Sequence, residues 1–176
     1  MREALRLLAA NGLVEQRPRR GSVVSRPDPH RLAEMFQARA DLEASCAALC
    51  ARSMCSQAKA RLAARHEAMG QMAATGALAG YQQANVAFHE TLYIGSGNAC
   101  LAGLARQTRV RLAPFRAAQL GGTDRLVASY REHGVIVAAI QAGDGAAAAA
   151  AVRAHLAATE GAWGAMAGRP PALLGI

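Results

Sequence analysis

Aromatic residues and lysine are both scarce in this chain of 176 residues. Only 4% of the residues are aromatic although 52% are hydrophobic, and alanine supplies much of the hydrophobic fraction. Because alanine favours helix but buries little apolar area, we expect closely packed helices whose core is filled by Leu, Ile, Val and Met. Lys59 is the only lysine, so arginine dominates the net charge of +8. This basic balance is compatible with a nucleic-acid partner but does not establish one.

Long apolar runs are absent as well. No run approaches the roughly 20 residues that a membrane-spanning helix needs. Arg6 interrupts the only apolar stretch near the N-terminus, so no signal peptide is predicted. The cysteines lack the spacing of a disulfide framework, which favours a reduced, cytoplasmic protein. Three of them can be imagined as thiolate ligands, but small buried helix residues are the favoured interpretation: Cys46, Cys50 and Cys55.

The first 24 residues predict a small fragment of helix and hairpin. Residues 1–10 favour a helix that ends at Asn11-Gly12, since glycine readily adopts the left-handed conformation found there. Two short strands joined by a basic turn follow, and residues 25–29, with two prolines, form a linker. The predicted strands are residues 13–15 and 22–24.

Residues 30–169 have a helical pattern throughout, and residues 170–176 form an irregular tail. Apolar residues recur every three or four positions, and Gly, Asn, Asp and Pro separate the segments. The predicted fold class is therefore all-α, an antiparallel bundle of about six helices preceded by the small fragment. The predicted helices are about 30–54, 56–74, 78–94, 98–114, 121–142 and 143–167.

Four side chains of the helical region have the chemistry of one metal centre. Asn85 and His89 are four residues apart, so they share a helix face. His133 and His155 lie on the apolar sides of two later helices. Imidazole nitrogens and an amide oxygen from three helices can bind a divalent ion, although a single helical histidine is more often a packed or surface residue. The remaining histidines are expected to be solvated: His30 and His66.

Motifs in both parts of the chain resemble one family of transcription regulators. Arg2-Glu3-Ala4-Leu5, Gly12-Leu13-Val14 and the arginine-rich turn before Gly21 resemble the end of the winged helix-turn-helix of GntR regulators. The downstream motifs resemble the FCD ligand-binding domain, which defines the FadR subfamily. They are Phe88-His89-Glu90-Thr91-Leu92, Ser96-Gly97-Asn98, Glu132-His133, and Ala142-Gly143-Asp144 followed by His155.

The resemblance implies a divalent metal ion in the helical domain. Its ligands here are His89, His133 and His155, together with Asn85 at a position where the family usually has Asp. A neutral amide lacks the charge attraction of a carboxylate, so we expect weaker binding than in an Asp-containing site. Zn is the expected metal, and three nitrogens with one oxygen also suit Ni, Mn or Fe.

The resemblance also implies a small organic acid effector, held by the metal and by pocket arginines. Arg39 lies at the position of the arginine in the first FCD helix, because Leu42 and Glu43 follow it as in the family pattern. Arg109 or Arg111 on the fourth helix is the second candidate. The implied function is a metabolite-responsive, homodimeric transcriptional regulator.

Operator DNA is the partner that the N-terminal resemblance implies. Residues 1–24 correspond to the end of the recognition helix and the wing, so we expect the natural protein to have roughly 40 to 60 further N-terminal residues. The expected DNA contacts are Arg2, Arg6, Arg19, Arg20 and Gly21.

Two other functions remain open at this point: a stand-alone metal- or ligand-binding bundle that no longer touches DNA, and a metalloenzyme. Binding to an operator duplex would separate a regulator from the stand-alone bundle. An enzyme is disfavoured because Glu90 and Glu132 merely adjoin ligands in the sequence. Adjacent residues of a helix point about 100° apart, so neither is expected to act as a general base there.

Overall fold

The computed structural model describes residues 3, 14–17, 21–24, 29–113 and 123–167. These residues form one antiparallel hairpin and six helices, which confirms the predicted all-α bundle. Within the described residues, no helix is both long and apolar enough to cross a membrane. The elements are β1 (Val14–Arg17), β2 (Gly21–Val24), α1 (Pro29–Ser53), α2 (Ser56–Ala74), α3 (Leu78–Gly95), α4 (Ala99–Arg111), α5 (Thr123–Gln141) and α6 (Gly145–Ala167).

The chain divides into two compact units, residues 1–37 and residues 38–176. In the first unit, β1 and β2 pair with Val14 opposite Val24, which confirms the predicted hairpin. β1 extends two residues further into the basic turn than predicted, and β2 begins at Gly21 with a left-handed φ of 78°. The predicted helix over residues 1–10 falls outside the described residues except for Glu3, which is helical.

Local hydrogen bonds set the helix boundaries in the second unit. The Asn98 side chain accepts a hydrogen bond from the Leu101 amide at 3.0 Å, and Asp144 accepts one from Ala147 at 2.9 Å. Both are N-terminal caps of the predicted kind. Gly143, between α5 and α6, has a φ of 76°, as expected of glycine after a helix end.

The core of the second unit lies between α2, α3, α5, α6 and the C-terminal part of α1, which contributes Ala44, Ala47, Cys50 and Ala51. α2 packs against α3 and α5, α5 against α6, and α3 against α4. Leu62, Phe88, Ile136 and Leu156 are among the buried residues at the centre. A smaller buried cluster joins α1, α3 and α4 and includes Cys46 and Tyr93.

The prediction for one cysteine was wrong. Cys46 and Cys50 are buried as predicted, but Cys55 is exposed. It immediately precedes α2 as the N-terminal cap residue, where the chain is extended and no longer follows the buried face of α1.

The prediction that His66 is solvated was also wrong, whereas His30 is exposed. The His66 ring stacks on Tyr130 with centroids 4.3 Å apart, and its Nε2 lies 2.9 Å from the Tyr130 carbonyl oxygen. Nε2 therefore donates to that oxygen. Gly134 provides the space, because a Cβ there would lie 3.3 Å from the His66 ring.

Two glycines test the packing of the bundle. A Cβ at Gly145 would lie 3.0 Å from the Ala48 carbonyl oxygen, which cannot move without displacing α1. We expect Gly145→Ala to lower the free energy of unfolding by about 1 to 3 kcal/mol, the usual cost of overpacking. A Cβ at Gly103 meets no described atom within 4 Å. Gly103→Ala should therefore raise the free energy of unfolding by about 0.5 to 1 kcal/mol, because alanine favours helix more than glycine does. Urea denaturation measures both, and equal stability of the two variants would contradict this packing.

Candidate metal centre

Three buried histidines from α3, α5 and α6 come together in the second unit. His89, His133 and His155 are each at most 4% exposed. One nitrogen of each lies within 4.8 Å of the other two, and the Nε2 atoms of His133 and His155 are 3.3 Å apart. This group can hold a metal ion.

Two carboxylates orient two of these rings. Glu43 Oε2 lies 2.7 Å from His89 Nδ1, and Glu132 Oε2 lies 2.6 Å from His155 Nδ1. Each carboxylate accepts a hydrogen bond from Nδ1–H, so the proton stays on Nδ1 and the Nε2 lone pair of each ring is free to bind a metal. Sequence reasoning placed Glu132 away from the site because it adjoins His133, but it reaches the histidine of the next helix. Arg125 holds Glu132 from the other side through two hydrogen bonds of 2.7 and 2.8 Å.

The third ring is oriented by packing. His133 stacks on Phe88, with centroids 4.2 Å apart and an interplanar angle of 15°. Its Nδ1 has no hydrogen-bond partner among the described residues. The motif Phe88-His89 therefore contributes twice, since one residue supports the His133 ring and the next belongs to the triad.

The donor set fits a divalent ion. Two nitrogen ligands about 2.0 to 2.1 Å from one tetrahedral ion lie about 3.3 to 3.4 Å apart, close to the separation of the His133 and His155 nitrogens. The Asn85 side-chain oxygen is buried one turn before His89, and no described residue donates a hydrogen bond to it. Buried polar atoms normally have partners, so this oxygen is available as a ligand.

Burial keeps the three histidines neutral. It lowers the pKa of His89 and His133 well below the usual value and also lowers the pKa of His155, although Glu43 and Glu132 oppose the shift at His89 and His155. Neutral imidazole is the form that binds metal. Glu43 behaves in the opposite way: burial alone would raise its pKa, but Arg39 and His89 hold it well below the usual value.

Two buried arginines adjoin the triad. Arg39 Nε donates to Glu43 Oε1 at 2.7 Å, and Arg109 Nη2 lies 3.4 Å from the Asn85 carbonyl oxygen. Within the described residues, Nη1 of both arginines lacks a hydrogen-bond partner. Arg111, the alternative on the same helix, is exposed. The structure therefore brings both predicted ligand-binding arginines beside the histidines.

Glu43 is the central residue that sequence reasoning missed. It is fully buried and accepts hydrogen bonds from Arg39, His89 and the Tyr93 hydroxyl. The available signal was its spacing of four residues from Arg39 on an otherwise apolar helix face. In the sequence, Glu43 stands out only as part of the family pattern that follows Arg39.

The expected DNA-contacting residues are mostly outside the described part of the chain. This applies to Arg2, Arg6, Arg19 and Arg20. Gly21 is described and is exposed at the start of β2.

Comparison with known proteins identifies the class to which this chain belongs. The family model of the FCD domain matches residues 34–158, so the chain belongs to the FCD family of GntR-type, FadR-like transcription regulators. This is a family of regulators rather than of enzymes. No curated protein sequence matches the chain significantly.

Solved structures of GntR proteins share the fold. E. coli McbR/YncC is 20% identical with a TM-score of 0.82, over 94% of this chain and 84% of that one. Streptococcus agalactiae GntR is 23% identical with a TM-score of 0.63, over 89% and 78%. A GntR protein of Rhodococcus sp. RHA1 is 21% identical with a TM-score of 0.65, over 93% and 79%. At these identities the likeness concerns the fold alone.

Removing the charge of Glu43 tests how far the buried centre depends on it. We expect Glu43→Gln to destabilise the metal-free protein by about 3 kcal/mol, because Arg39 would then be buried without an anion. Glu90→Gln is the matched control, since Glu90 follows His89 directly but pairs with Arg106 on the surface. Its loss should be below about 1 kcal/mol. Chemical denaturation with chelator present measures both variants, and equal losses would contradict the role assigned to Glu43.

Proposed function

We propose that this chain is the effector-binding part of a metabolite-responsive transcriptional regulator that acts on operator DNA as a homodimer. In this proposal His89, His133 and His155 bind a divalent metal ion, with Asn85 as a fourth and weaker ligand. The observation that carries it is the buried neutral triad, in which Glu43 holds Nδ1 of His89 and Glu132 holds Nδ1 of His155. Such hydrogen bonds are typical of metal-binding histidines.

The effector is proposed to be a small carboxylate. Arg39 and Arg109 carry two positive charges against the single negative charge of Glu43, so this side of the site has an excess of one positive charge. Their Nη1 atoms, which have no hydrogen-bond partner within the described residues, are charged donors that suit carboxylate oxygens. A metal bound at the triad supplies further positive charge that an anion can coordinate. Zn is the proposed ion, and the donor set also suits Ni, Mn or Fe.

Regulation is proposed to occur by a shift between conformations. A carboxylate that contacts Arg39 on α1, Arg109 on α4 and the triad on α3, α5 and α6 favours the arrangement in which these helices are correctly spaced. An effector changes an equilibrium by the difference in its affinity for the two states. Operator affinity changes by the same coupling free energy.

The metal proposal is tested by changing single ligands. We expect His133→Ala to weaken the binding of Zn by more than about 100-fold. Loss of a residue that only hydrogen-bonds to a metal ligand costs up to about 100-fold, and His133 is itself a proposed ligand. Asn85→Asp should tighten binding, because it adds a negative charge to a neutral ligand set. Competition with a chromophoric chelator measures the affinities.

His66→Ala is the matched control for the metal experiment. His66 lies on α2 and its Nε2 already donates to the Tyr130 carbonyl oxygen, so its removal should leave the affinity for Zn unchanged. Metal content that survives His133→Ala would contradict the proposed ligand set.

The carboxylate proposal is tested by a thermal-shift screen of small organic acids on the Zn-loaded protein. An acid at about 100 times its dissociation constant should stabilise the protein by roughly 2.7 kcal/mol. We expect Arg109→Ala to weaken its binding about 10- to 100-fold, the usual effect of losing a hydrogen bond to a charged group. Arg39→Lys should also weaken binding, since lysine keeps the charge beside Glu43 but loses the planar set of donors.

Arg106→Ala is the control on the same helix, because Arg106 pairs with Glu90 on the surface. It should bind the acid as the natural protein does. A stabilising acid whose effect survives both Arg109→Ala and removal of the metal would contradict the proposed site.

A further inference from the structure

Three sulfur-containing side chains follow one another along one face of α1. Cys46, Cys50 and Met54 are spaced by four residues, which stacks their side chains along the helix. Met54 follows the last residue of α1, and its amide still donates to the Cys50 carbonyl oxygen at 3.0 Å, so the helical spacing holds. Cys46 and Cys50 are fully buried, and Met54 is partly buried. The proposed metal and carboxylate sites use none of these three residues.

Gly95, the last residue of α3, brings the sulfurs of Cys50 and Met54 together. A Cβ at Gly95 would lie 3.0 Å from Cys50 Sγ and 2.9 Å from Met54 Sδ, so both sulfurs flank one point of the α3 backbone. Two sulfurs bound to one ion are at most about 4.6 Å apart, because a metal–sulfur bond is about 2.3 Å long. The unbranched Met54 side chain is flexible enough to adjust to that separation. The two sulfurs can therefore bind one ion while α1 and α3 keep their paths.

Cys46 has a different neighbour from Cys50. The Cys46 thiol is hydrogen-bonded with Ser96, whereas the Cys50 thiol donates to the Leu92 carbonyl oxygen at 3.1 Å. A thiol is only a weak donor, so Cys50 loses little when its proton leaves. Cys50, which lies beside Met54 at Gly95, is therefore the better placed of the two thiols to bind an ion.

An open cleft gives access to this pair of sulfurs from solvent. The cleft has a volume of about 320 Å³, and Met54 forms part of its wall. An entering ion thus meets the Met54 thioether first, and the buried Cys50 thiol lies one helical turn further inside. The other residues of the wall are Ser56, Lys59, Ala60 and Gln141.

Charge selects a monovalent ion for this pair. Burial raises the pKa of Cys50 to about 12, so its thiol is protonated at neutral pH. When an ion binds, the S–H bond breaks, the proton passes to solvent and a metal–sulfur bond forms, without oxidation or reduction. One thiolate, one neutral thioether and one monovalent ion carry no net charge, so the product can remain buried. A divalent ion would leave a positive charge uncompensated near Lys59, which lines the same cleft.

We propose that Cys50 and Met54 form a second metal site, the sulfur site, which binds one Cu(I) ion in exchange for the Cys50 proton. Thiolate and thioether are soft ligands, and such ligands select Cu(I). The sulfur site shares no ligand with the histidine triad, so it stands independently of the proposed function.

The test uses a reference protein without exposed thiols, Cys55→Ser/Cys100→Ser, because these thiols would bind Cu(I) themselves. The triad is first loaded with Zn, and Cu(I) is then titrated without oxygen against a chromophoric Cu(I) chelator. We expect about one Cu(I) per chain and, by calorimetry in buffers of different ionisation enthalpy, about one proton released per ion. Cys50→Ser should weaken the binding of Cu(I) by more than about 100-fold and abolish the proton release. Met54→Leu should weaken it by about 10-fold or more. Loss of a residue that only supports a metal ligand already costs about 10- to 100-fold.

Cys46→Ser is the matched control, because it removes a buried thiol from the same face of α1 but leaves both proposed ligands in place. It should retain the affinity for Cu(I), and thermal unfolding checks that all variants are folded. Equal losses in Cys46→Ser and Cys50→Ser, or binding that survives Cys50→Ser, would overturn the sulfur site.

His133→Ala separates the sulfur site from the triad. The variant should lose affinity for Zn but bind Cu(I) as the reference protein does. Loss of Cu(I) binding in His133→Ala would overturn the sulfur site alone, because the ion would then belong to the triad. Unchanged affinity for Zn in this variant would contradict the proposed function and leave the sulfur site standing.

Discussion

The buried carboxylate of Glu43 is the interaction on which the polar centre depends. An isolated charge inside a helical bundle is strongly unfavourable unless it is paired and hydrogen-bonded. Glu43 Oε1 accepts from Arg39 and Tyr93, and Oε2 accepts from His89, so each oxygen has at least one donor. The same contacts compensate the burial of Arg39 and fix the proton of His89 on Nδ1. One residue of α1 thus joins the proposed anion site to the proposed metal site.

The alanine-rich composition makes such a polar centre compatible with a stable bundle. Ala148, Val152 and Leu156 bury one face of α6, and His155 lies beside that face. Small residues allow helix axes to approach closely, so His155 can reach Glu132 on α5 at 2.6 Å. Bulky aromatic side chains are used sparingly, and Phe88 is one that packs directly on a ring of the triad. The core consequently buries little apolar area per residue, but its close packing brings the polar groups of the site within hydrogen-bond distance of one another.

The sequence predicted most helix boundaries within two residues because their determinants are local. Asn98 and Asp144 cap helices that begin beside them, and Gly143 ends one with a left-handed φ. The supporting contacts of the site were not predictable in this way. Glu43 and His89 are 46 residues apart, and Glu132 contacts His155 across a separation of 23 residues. The rule that neighbours on a helix point about 100° apart is correct for Glu132 and His133. Glu132 nevertheless belongs to the site, because it contacts His155 on the adjacent helix.

Asn85 couples the binding of the proposed metal ion to the binding of the proposed acid, because it makes the fourth ligand of the metal neutral. Three neutral imidazoles and a neutral amide leave the full charge of a bound divalent ion uncompensated, whereas an aspartate would cancel part of it. Arg39 and Arg109 add a further excess over Glu43, so the centre is positively charged whenever metal is present. An anion then removes a larger electrostatic penalty than it would beside a carboxylate-containing site, particularly where water is excluded. Binding free energies are reciprocal, so an acid that binds better with metal present must strengthen metal binding by the same factor. A neutral donor set therefore favours joint occupancy by metal and acid over occupancy by metal alone.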